Sequence, residues 1–220
     1  CAELLADYID FRQTACTAAE DLLRTEEEAT AFCVNTLKET PKTTQTTSLD
    51  HHQSSKAMVL ATTRTAEAIC KAKGVAIDPN PQTRCVWVRG ENLHVTARNL
   101  DGAIPGLLNP LVIWEIKEYW GKTKGGSKMS DAVYECALVG RELRDLEKRS
   151  DIHIEHVVLL DGKEQWSHRR SDLLRFCDLF YQGLIDALFI GREVETDWPQ
   201  YLERVLDDHS SKGQTLRMVS

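Results

Sequence analysis

The sequence predicts a fold of mixed class, α/β or α+β, with a helical layer at its N-terminus. Apolar residues recur at three- and four-residue spacing up to about residue 38, which is typical of helices. Short runs rich in β-forming residues follow between about residues 85 and 120, and helical spacing then returns. The chain contains no internal repeat. This order predicts helices packed on a central sheet.

The N-terminal helical region extends from Ala2 to about Lys38, as one long helix or two shorter ones. The stretch ETPKTTQTTSLDHHQSS then predicts a loop. A further helix is expected from about Ser54 to Lys73, because a serine precedes it and Gly74 follows it. We therefore expect three regions: a helical segment with its loop (1–53), an α/β core (54–208) and a polar tail (209–220).

The middle of the chain contains four runs that are typical of strands. CVWVR and LHVTAR flank a short GEN turn and predict a β-hairpin. LVIWEIKEYW predicts an apolar strand, and IHIEHVVLL predicts another that ends at Asp161-Gly162. The stretches NLDGAIPGLLNP and GKTKGGSK predict loops.

Three helices are predicted around and after the last of these strands. One extends from Met129 to about Lys148. The second begins at Ser171, which is a suitable N-cap residue, and continues to Gly191. The third is WPQYLERVLDD, with Pro199 in its first turn.

Composition excludes several classes of protein. With 42% hydrophobic and 28% charged residues, the 220-residue chain resembles a globular domain and not a disordered one. No apolar run approaches the roughly 18–20 residues of a membrane span, and no secretory signal is visible, so we expect a cytoplasmic protein without a membrane partner. The seven cysteines form no CxxC pair and are predicted to be reduced core residues. The net charge of −7 disfavours a surface that binds polyanions throughout, but allows local basic clusters.

The strand LVIWEIKEYW carries the candidate chemistry. Because side chains alternate along a strand, Glu115 and Lys117 share a face with Leu111 and Ile113. Their Cα atoms are about 7 Å apart by strand geometry. Burying unpaired charges costs on the order of several kcal/mol. This pair therefore predicts a functional site, unless the strand simply reaches solvent there.

Asp101 lies fourteen residues before Glu115, directly after the predicted strand LHVTAR. If the two strands pair, both carboxylates converge with Lys117. Mg²⁺ prefers oxygen ligands and needs only one or two carboxylates when a substrate phosphate supplies the others. Such a site would hydrolyse a phosphodiester with a metal-activated water. Lys117 would orient or deprotonate that water, or stabilise charge on the phosphoryl oxygens.

Asp101 followed by Glu115-Ile116-Lys117 on an apolar strand resembles the D…(D/E)xK pattern of the restriction-endonuclease-like nuclease superfamily. The order of elements over about residues 54–191 is similar to the αβββαβ core of that superfamily. The resemblance implies an α/β fold with a restriction-endonuclease-like core, in which a central mixed sheet is flanked by helices. Leu100 precedes Asp101 where the full superfamily pattern has a proline.

The same resemblance implies a Mg²⁺-dependent DNA endonuclease of restriction or anti-phage defence, in which Mn²⁺ can substitute. Asp101 and Glu115 would be the metal ligands, and Lys117 the catalytic lysine. Two alternatives stay open: a catalytically inactive DNA-binding or assembly subunit on this fold, and an unrelated helical interaction protein. Because cleavage of both DNA strands suits a symmetric pair, the resemblance is compatible with a homodimer or a larger multidomain or multisubunit assembly.

Members of the superfamily often use a further acidic residue from a helix before the sheet. Glu67 is the favoured candidate, with Glu27 and Glu28 as rivals farther away in the sequence. The competing interpretation is that Glu67 is a solvated helix residue near Arg64 and Lys71.

Basic residues concentrate in two places despite the acidic total, and either place is also typical of a solvated loop. The predicted DNA contacts are Lys122, Lys124, Ser127 and Lys128 beside the candidate strand, with Arg169 and Arg170 as a second cluster. Glu20 and Asp21 make the N-terminal helix acidic, so DNA is not expected to lie against it.

Among the histidines, His51 and His52 are expected to be exposed. His156 is expected to be a hydrogen-bonded core or edge residue.

Overall fold

This computed structural model describes residues 2–44, 54–121 and 127–211, in which three helices precede four consecutive strands and helices and strands then follow in turn. The strands are β1 (Arg84–Arg89), β2 (Asn92–Asn99), β3 (Gly102–Ile104), β4 (Val112–Glu118), β5 (Glu155–Asp161) and β6 (Ala187–Ile190). The helices are α1 (Ala2–Leu22), α2 (Glu26–Phe32), α3 (Ala57–Lys73), α4 (Ser127–Ser150), α5 (Lys163–His168), α6 (Arg170–Tyr181) and α7 (Glu193–Ser211). A π-helical turn, Cys33–Leu37, continues α2. The fold belongs to the α/β class.

A mixed four-stranded sheet in the order β3-β4-β5-β6 forms the centre of the fold. β3 is antiparallel to β4, whereas β4, β5 and β6 are parallel to one another. β1 and β2 form a separate two-stranded sheet, the predicted antiparallel hairpin, and Val86 of β1 also makes a bridge with Leu108. β5 is buried along almost its whole length, as expected for a parallel strand with helices on both faces.

The two faces of β4 contact different parts of the molecule. Val112 and Trp114 belong to an apolar cluster that includes residues of α3 and α7. Ile113, which points to the other face, packs with Val139 and Leu143 of α4. A third cluster joins α1, α5 and α6 to β5. This division decides which helices lie near Glu115 and Lys117.

The N-terminal region forms two helices and not one. The chain leaves α1 after Leu22, and Thr25 begins α2 through a capping box with Glu28. α3 ends at Lys73, and Gly74 adopts a positive φ of 65° as its C-cap, as the sequence predicts. The start of α3 differs, because the helix begins at Ala57 and no side chain caps it.

Two strands lie where the sequence predicts other structure. β3 falls inside the predicted loop NLDGAIPGLLNP and has only three residues, too few to show alternation. β6 falls inside the helix predicted from Ser171 to Gly191. Its sequence, ALFI, is a short apolar run, and such runs do not distinguish a buried strand from a helix by periodicity. Ser171 is not an N-cap residue, since it lies inside α6 and Arg169 precedes the helix.

Several predicted boundaries also shift. α4 begins at Ser127 and not at Met129, and β5 begins at Glu155, so Ile152 to Ile154 precede it. α7 begins at Glu193, which places Pro199 inside the helix and not in its first turn. α7 also includes the first residues of the predicted polar tail, and residues 212–220 lie outside the described part of the chain. The predicted boundary at 53/54 adjoins residues 45–53, which are also outside it.

Six cysteines, all those in the described residues, are buried and form no disulfide. Burial raises the pKa of five of these thiols, those of Cys33, Cys70, Cys85, Cys136 and Cys177, for example to about 11 at Cys70. They are core residues, as predicted, while Cys1 lies outside the described part.

None of the described helices has the length and apolarity required to span a bilayer.

Candidate active site

Asp101 lies directly before β3, and the pairing of this strand with β4 places it opposite Glu115. Gly102 is the partner of Trp114 in the ladder, so the preceding residue is brought beside the next residue of β4. The Asp101 N–H donates to the Trp114 carbonyl at 3.0 Å. Asp101 Oδ2 accepts from the Ile116 N–H at 2.7 Å. The backbone and side chain of Asp101 thus extend the hydrogen bonding with β4 to the residue that precedes β3.

Glu115 and Lys117 form a buried ion pair on the neighbouring strand. Lys117 Nζ lies 2.9 Å from Glu115 Oε2. The other oxygen, Oε1, is 3.3 Å from Nε2 of His156 on β5. His156 is fully buried, and its Nδ1 lies 3.0 Å from the Leu184 carbonyl oxygen, which agrees with the hydrogen-bonded core histidine that the sequence predicts. Since Glu115 is only 1% exposed, its ionised form depends on these partners.

Two residues that the sequence did not indicate complete the group. Glu135 of α4 accepts a hydrogen bond from Lys117 Nζ at 3.0 Å. Arg98 of β2 forms an ion pair with Glu135 and lies 3.5 Å from Glu115 Oε2. The side chains of Glu135 and Arg98 are 41% and 31% exposed, so these two residues form the solvent-accessible rim of the site. The side chains of Glu115 and Lys117 are buried beneath them. Sequence spacing could not find them, because only the packing of β2 against α4 brings them together.

The two members of the buried pair stabilise each other's charge. Burial opposes ionisation of Glu115, but the Lys117 charge and the His156 hydrogen bond outweigh it and hold the pKa of this carboxyl well below its usual range. Burial likewise opposes the charge of Lys117, but Glu115 raises the pKa of this amine above its usual value. Lys117 is therefore an ammonium group and a hydrogen-bond donor in this arrangement.

The surroundings of Asp101 disfavour its charged form, in contrast to those of Glu115. Its surroundings partly remove the carboxylate from water, and this desolvation, together with the Glu115 charge, raises its pKa. The Ile116 hydrogen bond and the Lys117 charge oppose this effect. A cation beside Asp101 would favour the carboxylate form that the protein alone disfavours.

The donor set fits a hard divalent cation. Asp101 is exposed, and in the described residues its Oδ1 has no hydrogen-bond partner. Glu115 lies opposite Asp101 in the strand pair, whereas Glu135 at the rim is paired with Lys117 and Arg98. Carboxylate oxygens are the ligands that Mg²⁺ prefers, and two of them suffice when phosphate and water complete the shell. Asp101 and Glu115 are the residues that would hold such an ion.

Glu67 does not join this group, which corrects the sequence prediction. α3 packs on the Trp114 face of β4, whereas Glu115 and Lys117 point to the α4 face. Glu67 pairs with Arg64 on its own helix at 2.7 Å, as the competing interpretation expected. Of the rivals, Glu28 contributes to the α2 capping box and pairs with Arg192. Alternation on β4 fixes the face of Glu115, but not which helix covers that face.

The predicted DNA contacts are described only in part. Lys122 and Lys124 lie outside the described residues, as does the side chain of Ser127. Lys128 is exposed in the first turn of α4. Arg169 pairs with Asp172 at 2.6 Å and donates to Ser130 of α4.

Arg170 is placed differently from the other predicted contacts. It pairs at 3.3 Å with Glu20 of α1, the acidic helix from which DNA is expected to be excluded. Arg170 therefore lies beside the acidic surface of α1 and not beside Lys128 at the start of α4.

Residues 24–205 match a family described as a domain of unknown function, DUF7687. The chain belongs to this family. The match covers every residue of the candidate site, from Arg98 to His156. No curated protein and no solved structure matches the chain. The family description assigns no activity, so the function has to be argued from the site.

Proposed function

We propose that this protein is a Mg²⁺-dependent endonuclease that hydrolyses phosphodiester bonds of DNA, with Mn²⁺ able to substitute. The observation that carries the proposal is the placement of Asp101 opposite Glu115, with Lys117 bonded to Glu115. Two carboxylates and an ammonium group at one edge of a strand pair are the parts required for metal-assisted phosphodiester hydrolysis.

The proposal includes a restriction-endonuclease-like core. It is supported by the helix α3 before the hairpin, by the antiparallel β3–β4 pair that carries the candidate residues, and by the crossover through α4 to the parallel strand β5. The separation of β1 and β2 into their own two-stranded sheet is a departure from a continuous central sheet. A role in restriction or anti-phage defence stays a prediction of the resemblance.

Asp101 and Glu115 would bind the metal, and Asp101 Oδ1 has no hydrogen-bond partner among the described residues. A bound Mg²⁺ supplies Lewis-acid polarisation of the phosphate and a more acidic water molecule. His156 orients Glu115 by holding Oε1, and such outer hydrogen bonds fix the direction of a ligand carboxylate. The metal would replace part of the positive charge with which Lys117 and Arg98 now compensate Glu115.

Lys117 acts in this proposal as a donor and not as a base. Because Glu115 and Glu135 both accept from its Nζ, the ammonium form is the stable one. An ammonium group can orient the attacking water or stabilise negative charge that develops on the phosphoryl oxygens. This selects two of the three roles that the sequence left open for Lys117.

Positive charge near the rim supports a nucleic-acid substrate. The Arg98 side chain is partly exposed, and its guanidinium group lies 3.5 Å from Glu115 Oε2. Lys128 precedes Glu135 by seven residues, two turns of α4, which places both on one side of the helix about 10 Å apart. A phosphodiester backbone that crosses the rim can therefore contact Arg98 and Lys128 together. Such contacts give affinity without sequence specificity.

The alternative is a catalytically inactive DNA-binding or assembly subunit, and one observation favours it. Both oxygens of Glu115 already have partners, Lys117 and His156, so the buried network is complete without a metal. A purely structural role of these residues predicts DNA binding that does not depend on Mg²⁺ and is not followed by cleavage.

Cleavage of supercoiled plasmid with Mg²⁺ or Mn²⁺ tests the proposal. Asp101→Asn keeps an oxygen acceptor for the Ile116 N–H but removes the charge, so the fold should survive while the rate of nicking falls by about 100-fold or more. Glu67→Gln is the matched control, because it removes one exposed carboxylate from the opposite face of the sheet. It should cleave at the wild-type rate.

Two results would contradict the proposal. One is a wild-type protein that nicks neither plasmid nor single-stranded DNA with either metal. The other is an Asp101→Asn variant as active as the wild type. DNA binding without cleavage, measured by fluorescence anisotropy, would select the inactive subunit instead.

A further inference from the structure

A second group of potential metal ligands lies where β5 and β6 begin, apart from the candidate active site. Asp186 immediately precedes β6, Glu155 is the first residue of β5, and His153 lies two residues before Glu155. One ligand atom from each of the three residues lies within 4.8 Å of the others. The His153 side chain is 53% exposed, so an ion can reach the group from solvent.

The distances from His153 to the two carboxylates are longer than those of charged hydrogen bonds. His153 Nε2 lies 3.4 Å from Glu155 Oε1 and 3.6 Å from Asp186 Oδ1. Charged N–H···O hydrogen bonds are shorter, about 2.7–2.9 Å. A tetrahedral zinc ion with bonds of about 2.0–2.1 Å holds its ligand atoms about 3.3–3.4 Å apart. His153 Nε2 therefore lies at about the distance expected between two zinc ligands from each carboxylate, and the two carboxylate oxygens lie within 4.8 Å of each other.

The other nitrogen of His153 has the partner that a metal-binding histidine requires. His153 Nδ1 lies 3.0 Å from Glu147 Oε1. Glu147 also accepts from the Ile154 N–H at 2.7 Å and pairs with Arg144 through Oε2, so its position on α4 is fixed. A metal-bound histidine almost always donates its second N–H to a carboxylate, carbonyl or water, which sets the tautomer and orients the ring.

The two carboxylate ligands are oriented in the same manner. Asp186 Oδ2 accepts from Arg144 at 2.9 Å and from the His156 N–H at 2.8 Å. Glu155 Oε2 accepts from the hydroxyl of Tyr201 on α7. In each case this second oxygen is held by another element, while the first oxygen lies near His153 Nε2. Arg144 also donates to the first oxygen of Asp186, Oδ1, at 3.1 Å. All three candidate ligands thus have outer partners.

The electrostatic environment favours additional positive charge. Three carboxylates surround the ring, and Arg144 is the cation that contacts two of them. A divalent ion that replaces the proton on Nε2 would supply more positive charge than the imidazolium form does.

We propose that His153, Glu155 and Asp186 form a binding site for a divalent transition-metal ion of the zinc class, with a fourth position open to water. One imidazole nitrogen and two carboxylate oxygens suit zinc, whereas Mg²⁺ prefers oxygen ligands alone. The ion would link the starts of β5 and β6 and, through Tyr201, α7. This site is separate from the Asp101–Glu115 pair and does not depend on nuclease activity.

Equilibrium competition with a chromophoric zinc chelator tests the site. The 220-residue chain with Cys1→Ser, which removes the Cys1 thiol as a competing ligand, is expected to bind one equivalent of Zn²⁺ and to melt at a higher temperature with it. His153→Asn should weaken this binding by about 100-fold or more. Asp101→Asn should bind zinc like the wild type, which distinguishes the two sites.

His51→Asn combined with His52→Asn is the second control, because adjacent histidines elsewhere in the sequence are the obvious rival for zinc. It should leave zinc binding unchanged. The proposal is overturned if the wild type binds no zinc, if His153→Asn binds it equally well, or if the His51/His52 variant loses it. Should His153→Asn fail to fold, anomalous scattering at the zinc edge from wild-type crystals decides. A peak among the three ligands supports the site, and a peak elsewhere overturns it.

Discussion

At the scale of single residues, β4 carries a second unusual carboxylate next to the candidate site. Glu118 follows Lys117 but points to the α3 face, where its side chain is 3% exposed. Its Oε2 accepts from the Met58 N–H at 2.9 Å, and Lys56 lies 3.2 Å from Oε1. Burial nevertheless dominates and raises the pKa of Glu118 to about 7, against 4.5 for an ordinary glutamate.

This pKa predicts a pH-dependent stability. Between about pH 4.5 and 7 the folded state binds more protons at Glu118 than the unfolded state does, so the free energy of unfolding falls as the pH rises through this range. Glu118→Gln removes this contribution of about 3 kcal/mol. Urea unfolding at pH 5 and pH 8 should show a smaller loss of stability in the variant than in the wild type. The control Glu67→Gln should lose as much stability between pH 5 and pH 8 as the wild type does. If Glu118→Gln loses the same amount, Glu118 is not the source of the pH dependence.

At the scale of elements, the close approach of β3 to β4 determines where Asp101 lies. Gly102 faces the indole of Trp114 so closely that an added Cβ would be 1.8 Å from the ring. Trp114 is fully buried and packs edge to face against Trp198, with ring centroids 5.8 Å apart, so it has little room to move. Glycine is therefore required at the residue after Asp101.

Gly102→Ala tests this requirement. The overlap with Trp114 is expected to lower the free energy of unfolding by about 3 kcal/mol and to displace Asp101, so metal-dependent cleavage should fall as well. Chemical denaturation and the nicking assay measure both effects. Gly106→Ala is the matched control, because no atom lies within 4 Å of its added Cβ, and the change should be within about 0.5 kcal/mol. Equal stability of the two variants would show that the strands tolerate a wider spacing.

Element types were predictable where a pattern is long. α1, α3 and α4 show helical spacing over several turns, and β4 shows a sustained β-prone run with a charged end. β3 and β6 have only three and four residues, and their strand character depends on pairing with β4 and β5. No local pattern of that length is sufficient, because pairing with a distant segment and not propensity stabilises such a strand.

At the scale of the whole molecule, one buried arginine joins distant parts of the chain. Arg24, between α1 and α2, is 1% exposed. Its Nε donates to Asp161 at the end of β5 at 2.8 Å, and its NH1 donates to Glu195 of α7 at 2.6 Å. The N-terminal helices, the sheet and the last helix are thus connected through one guanidinium group.

Arg24→Met should therefore be strongly destabilising. It leaves the fully buried Asp161 without its cation, and breaking a buried ion pair costs about 3–5 kcal/mol. Thermal or urea unfolding measures this loss, and adding Asp161→Asn should recover part of it, since the second change removes the uncompensated charge. Arg64→Met, which breaks the exposed pairs with Glu39 and Glu67, should cost no more than about 1 kcal/mol. Similar losses in the two arginine variants would contradict this account.

The local sequence pattern places Glu115 and Lys117 on one face of a strand, because the side-chain period of a strand is two. It also indicated that an acidic residue precedes this strand at a suitable spacing. The local pattern did not indicate that Asp101 lies opposite Glu115 or that α4 and not α3 covers their face. It also did not indicate that Arg98, Glu135 and His156 complete the group. The physical reason is that these contacts join segments far apart in sequence, and packing between elements fixes them while local pattern does not.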